Sequence, residues 1–243
     1  MPTAPYVKAC IYGARTPDAH PALPVSPPQL AEAAVAAHGA GAQAVHLHPK
    51  TADGVDSLAP EIVAEAVSAV RHALPGLPLG VTTGFWALPD PQQRLRAVES
   101  WTVLPDFASV NWHEPGSPEL AALLHSRGIG VEIGIFHADA ADDWARSEFA
   151  PHCMRVMIEL SSDGDTETAD DVLARIRRAD SPAPVLLHGL DASCWPLLAH
   201  AGLRGLQTRV GLEDTLVLPD GSAAAGNAEL VAAARDVLRQ VTR

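Results

Sequence analysis

The sequence predicts an α/β fold in one domain spanning residues 1–243, a (β/α)8 TIM barrel. Eight short apolar runs alternate with helical patterns at intervals of roughly 20 to 35 residues, the rhythm of a parallel sheet whose every crossover is a helix. A length of 243 residues suits a barrel, which commonly takes ~250. No linker, low-complexity tract or compositional break divides the chain. No G-x-G-x-x-G follows the first strand, which tells against an open doubly wound sheet.

Taken in order, Lys8 to Tyr12 reads as the first strand. Ser26-Pro27-Pro28-Gln29 then opens a helix, with Ser26 as cap, Pro27 in the first turn and Gln29 completing a capping box; Gly39 ends it. The second strand ends at His48. Ile62, Val63, Ala66, Val67 and Val70 mark a helix from Pro60 to Leu74, which Pro75-Gly76 stops. Leu79 to Thr83 precedes a helix from Pro91 to about Trp101, and Phe107 to Asn111 precedes one opening at Ser117-Pro118-Glu119 and running through Leu124. The fifth strand, Val131 to Phe136, leads to an acidic helix near Ala140 to Arg146. Arg155 to Leu160 leads to Asp165 to Arg178, Val185 to His188 to Ala192 to His200, and Gly205 to Val210 to a last helix from Asn227 to Val241.

Composition narrows the function. Hydrophobic residues make up 47% of the chain, ample for a large core. The net charge of -12 is spread without any basic block, which argues against a nucleic-acid footprint or an anionic membrane surface. Met1 to Tyr6 lacks a charged segment followed by an apolar one, and no apolar run approaches the ~20 residues that span a bilayer. A soluble, cytoplasmic protein is expected. Cys10, Cys153 and Cys194 have no metal-binding or disulfide spacing and read as small buried hydrophobes.

In a barrel of this kind chemistry sits where strands end, because the loops that follow them build one face. Polar residues cluster at those places: Arg15 after the first strand, Thr82-Thr83-Gly84 at the third, Ser109 and Asn111 at the fourth, Glu132 in the fifth and His188 at the seventh. The second strand ends in His46-Leu47-His48. Side chains two apart in a strand share a face, so both imidazoles can grip one ion. A catalytic metal needs at least a third protein ligand and an open position, and Glu213 or Asp214, just past the eighth strand, can face the second across the barrel mouth. Two histidines, one glutamate and an exchangeable oxygen form a recognised zinc set.

His46-Leu47-His48-Pro49, Thr82-Thr83-Gly84, residues 105–111 and Arg209-Val210-Gly211-Leu212-Glu213-Asp214, followed by Asn227-Ala228-Glu229-Leu230-Val231, resemble the β-keto acid cleavage enzymes nearly end to end. The resemblance implies a zinc-dependent barrel, of homotetrameric assembly, that exchanges a β-keto acid with acetyl-CoA to give acetoacetate and a new acyl-CoA. It implies Zn2+ on His46, His48 and Glu213, with Arg209 holding the substrate carboxylate and Asp214 as base. Where members often carry an acidic residue this chain has Arg15, which favours a second anionic group on the substrate over an amino group. Phe85, in place of a common second glycine, is expected to narrow the pocket, and the shorter chain to trim the loops that receive CoA.

The chemistry agrees. Cleaving a β-keto acid requires a polarised ketone, which a Lewis acid supplies, and a fixed carboxylate, which the planar fork of an arginine holds. Hydroxyls of Thr82, Thr83 or Ser109 can donate where negative charge develops. Glu132 is a second candidate base, or a partner for Arg209. The only lysines are Lys8, expected at the barrel's far end, and Lys50, in a loop, which disfavours Schiff-base chemistry. A hydrolase of the amidohydrolase type also uses His-x-His, but there the pair ends the first strand, with further histidines after the fifth and sixth; here the sixth ends in Leu160-Ser161.

Overall fold

The eight predicted strands form one parallel sheet that rolls up on itself. A computed structural model describes residues 5–242, so the reading of the extreme N-terminus as free of a leader falls largely outside the described residues. The strands are β1 (Val7–Cys10), β2 (Ala44–Leu47), β3 (Leu79–Thr82), β4 (Phe107–Asn111), β5 (Gly130–Ile135), β6 (Arg155–Leu160), β7 (Val185–Gly189) and β8 (Thr208–Val210). Each is followed by a helix: α1 (Pro27–Gly39), α2 (Pro60–Ala73), α3 (Pro91–Glu99), α4 (Ser117–Ser126), α5 (Ala138–Ala145), α6 (Thr166–Ile176), α7 (Cys194–Leu203) and α8 (Asn227–Val241).

Neighbouring strands follow chain order from β1 to β7, and β8 pairs with β1, Val7 opposite Thr208. The last seam is closed by a parallel bridge between Leu186 and Gln207, where Leu187 N–H donates to Gln207 O at 2.9 Å. The barrel is single-domain and nearly closed.

Helices form where an apolar stripe at helical spacing can be buried against the strands. On α2 that stripe is Val63, Ala66, Val67 and Val70, and on α6 Ala169, Val172, Leu173 and Ile176. Ile62, expected on the buried face of α2, is only half-buried. Burying each valine or leucine contributes roughly 1.5–3 kcal/mol. At the start of α1 the Gln29 side chain accepts from the Ser26 backbone N–H at 3.0 Å, as the capping-box pattern predicts.

Several boundaries differ from the sequence reading, and four of them have a clear local reason. The first strand ends at Cys10 rather than Tyr12, although Ile11 N–H still donates to His46 O at 3.1 Å. Helix α5 begins earlier, at Ala138, because His137 caps it by accepting from Ala140 N–H at 3.2 Å. Helix α7 runs on to Leu203 and β8 starts at Thr208, since Gly205, at φ +66°, adopts the left-handed conformation that ends helices.

The barrel's interior is polar. Alternate residues of β6 point inward, so Arg155, Met157 and Glu159 line the axis while Val156, Ile158 and Leu160 meet the helices. Lys8, expected at the far end, reaches into this interior and is fully buried. All three cysteines are free and buried. Among the described residues no helix is long and apolar enough to cross a membrane.

Candidate active site

Each of the eight strands delivers a residue of its own, or of the loop just past it, to a single cavity of about 440 Å3 at the C-terminal mouth. Strand β2 brings His46 and His48, and β8 brings Arg209 and the loop residue Glu213. The two imidazole centroids lie 5.3 Å apart. His46 Nε2 is 3.9 Å and His48 Nε2 3.7 Å from one carboxylate oxygen, Glu213 Oε2. One ligand atom from each of the three residues falls within 4.8 Å of the others.

That oxygen is buried and has no hydrogen-bond partner, whereas Glu213 Oε1 accepts from Arg209 at 2.8 Å. A buried carboxylate oxygen left bare and aimed at two imidazole nitrogens fits a cation-binding site, because such a group is otherwise strongly disfavoured. Two nitrogens and an oxygen are the donors expected for a divalent ion with an open coordination position. Burial, with the charges of His48 and Lys8, pushes the pKa of His46 well down, which keeps the ring neutral and its lone pair available. Gly13 makes room for Glu213: a Cβ there would overlap its side chain.

Arg209 is fully buried and is the hub of the charged groups. Its Nε and NH2 donate to Asp214 Oδ1 at 3.1 and 2.7 Å, and NH1 faces Met157 Sδ at 3.4 Å. Asp214, expected to compete with Glu213 for the ion, instead turns inward, with His188 Nδ1 3.5 Å from Oδ1 and Oδ2 unpartnered. Burial raises its pKa against the pull of Arg209. Glu159 accepts from His188 Nε2 at 3.1 Å and lies 3.7 Å from Arg209. Burial opposes its ionisation, but Arg209 and His188 bring its pKa down to about 2.

Glu132 sits beneath the cavity rather than on its wall. Lys8 and Ser109 donate to Oε2, the latter at 3.1 Å, and Arg155 donates to Oε1 at 2.9 Å. The suggested pairing with Arg209 is therefore replaced by Lys8 and Arg155, because β1 and β6 project those cations to its depth while Arg209 is taken by the β8 carboxylates. Ser109 Oγ is also 3.5 Å from His46 Nδ1, so the buried ion pair supports a candidate ligand through one hydroxyl.

Burial disfavours the ionised Glu132, yet Lys8 and Arg155 lower its pKa from 4.5 to about 2. A depressed acid stabilises the fold above its ordinary pKa and loses that contribution as pH falls through the folded value. The wild type is thus expected to lose on the order of 3 kcal/mol through this group between about pH 5 and 2. Unfolding curves of the wild type and Glu132→Gln should differ most near neutrality and converge toward pH 2. A constant gap across that range would show that Glu132 is not the titrating group.

Of the remaining expected residues, Thr82, Ser109, Asn111 and Arg15 line the cavity. Asn111 donates to Glu114 at 2.8 Å. Arg15 donates to Leu212 O at 2.8 Å and to Asp191 at 2.6 Å, so its charge is partly matched. Thr83 and Gly84 lie behind the wall: Thr83 Oγ1 donates to Ser109 O at 2.6 Å, and Gly84 N–H to Thr82 Oγ1 at 3.1 Å. Narrowing comes from Trp86 rather than Phe85, whose ring lies off the cavity near Arg94. Asp56 and Glu159 were not anticipated as part of the site, and His188, noted at the end of the seventh strand, was given no partner there.

A sequence model described as beta-keto acid cleavage enzyme matches residues 6–243. The chain belongs to this family. It is 24% identical over 243 residues to the 3-keto-5-aminohexanoate cleavage enzyme of Acetoanaerobium sticklandii, covering 93% of this chain and 88% of that one. The enzyme of the same name from Fusobacterium nucleatum is 24% identical over 246 residues. Among solved structures, the binary complex of ObcA with oxaloacetate superposes with a TM-score of 0.69 at 19% identity, over 89% of this chain and 63% of the ObcA chain. The chain spans under two thirds of ObcA, and that likeness is one of fold.

Proposed function

We propose that this member of the beta-keto acid cleavage family uses Zn2+ held by His46, His48 and Glu213 to move the acyl group of a β-keto acid onto coenzyme A, with acetyl-CoA as co-substrate. The bond between the ketone carbon and the carboxymethyl group breaks. The carboxymethyl carbon joins the acetyl group to make acetoacetate, and the remaining acyl group leaves on the thiol, so atoms balance without a further reactant. The observation that carries the reading is the bare Glu213 Oε2 facing two imidazole nitrogens beside Arg209 at the mouth of a family barrel.

When bound, the ion supplies Lewis-acid polarisation of the substrate ketone. Arg209 presents its NH1 edge to the substrate carboxylate, while its other nitrogens fix Glu213 and Asp214. Asp214 Oδ2, unpartnered and of raised pKa, is the proton acceptor. Thr82, Ser109 and Asn111 supply polar contacts on the cavity wall, and Thr83 and Gly84 brace that wall from behind. Arg15 contacts the distal end of the substrate, which suits a second anionic group. Glu132 acts through Ser109, since both its oxygens are engaged.

A panel of β-keto acids incubated with and without acetyl-CoA tests this, read out as acetoacetate. Consumption should require acetyl-CoA and be matched by acetoacetate formed. Consumption that continues without it would replace the reading by decarboxylation or hydrolysis.

A further inference from the structure

The loop after β2 folds back on itself. Thr51 N–H donates to Val55 O at 2.9 Å around Asp53-Gly54, and Lys50 and Asp56 face each other in an antiparallel bridge. This return brings Asp56 against the far edge of His48. Asp56 Oδ2 accepts from His48 Nδ1 at 2.8 Å and from Trp86 Nε1 at 2.7 Å, and Oδ1 takes the Lys50 ammonium. The Trp86 ring stacks on His48, with centroids 5.8 Å apart and planes 21° from parallel. Gly84 allows this, because the ring fills the space a Cβ there would need.

An ionised carboxylate only accepts hydrogen bonds, so the hydrogen of a neutral His48 lies on Nδ1 and its lone pair on Nε2. Nε2 is the atom facing Glu213. His46 has no such anchor, only the Ser109 hydroxyl at 3.5 Å. One carboxylate thus sets the tautomer of one imidazole, pins its ring plane and, through Trp86, ties the loop after β3 to the loop after β2.

We propose that Asp56 is the positioning residue of the ion site, holding His48 with Nε2 toward the ion and clamping Trp86 over the ring as a wall of the cavity. The inference rests on the assignment of His46, His48 and Glu213 as ligands. An outer carboxylate on a metal-binding histidine typically accounts for 10–100-fold in affinity.

The test titrates metal-free protein with Zn2+ against a chromophoric chelator. Asp56→Ala is expected to bind 10–100-fold more weakly than wild type, and Asp56→Asn, which keeps an acceptor but not the charge, to fall between. Long-range 1H–15N correlation of the metal-free wild type should place the His48 hydrogen on Nδ1, and in Asp56→Asn the population protonated on Nε2 should rise. That spectrum reads tautomer rather than stability, so it decides the matter even if Asp56→Ala fails to fold. Wild-type affinity in Asp56→Ala, or a His48 hydrogen on Nε2 in the wild type, overturns the role of Asp56 while leaving the ligands standing. Equal Zn2+ affinity in wild type and His48→Ala overturns the ligand assignment and this inference with it.

Discussion

Replacing His48 by alanine is expected to yield a folded barrel that no longer retains a divalent ion and turns over a β-keto acid about 1000-fold or more slowly. The loss exceeds that of an outer-shell change, because one of the protein's own donors is gone and His46 and Glu213 are left to hold the ion alone. Lewis-acid stabilisation is worth several kcal/mol, and about 4 kcal/mol corresponds to that factor in rate. The fold survives, since Asp56 keeps Lys50 and Trp86 as partners and the ring lies at the mouth rather than among the helices. Metal analysis of the purified variant, alongside steady-state kinetics, checks both halves. Full metal occupancy would remove His48 from the ligand set.

Arg209→Lys is expected to lower turnover by roughly 100-fold or more while reducing stability by only about 1–3 kcal/mol. Lysine keeps the positive charge among Glu159, Glu213 and Asp214, so the buried carboxylates stay compensated. It does not keep the fork. The guanidinium grips Asp214 through two nitrogens and Glu213 through one of them; an ammonium at the end of a flexible chain holds one carboxylate at the expense of the other. Kinetics and denaturant unfolding separate the two effects. Activity that falls only as far as the folded fraction would make Arg209 a structural residue.

Much of this arrangement is legible in the sequence, because it depends on two periodicities. Alternation along a strand puts His46 and His48 on one face, and eight repeats that close into a ring put Glu213 opposite them. What escapes is whatever depends on a loop's return. Asp56 looks like one more acid in a polar loop until Asp53-Gly54 is read as a hairpin turn that brings residue 56 back beside residue 50. Glu159 carries a plainer signal: the inward set of β6 is Arg155, Met157 and Glu159, not the branched apolar residues usual inside such barrels. The pairing of Glu132 is harder, since which cation meets it depends on relative depth along the axis, and strand order leaves that open.

Closure of the ring through β8 also fixes when the proposed ligand set is complete. Two imidazoles emerge early during synthesis, but the carboxylate that completes the triad appears only after the eighth strand has left the ribosome and docked on the first. A nascent chain short of that point offers an incomplete claw. On the proposed ligand set, a cation would therefore meet all three of its donors only in a finished scaffold.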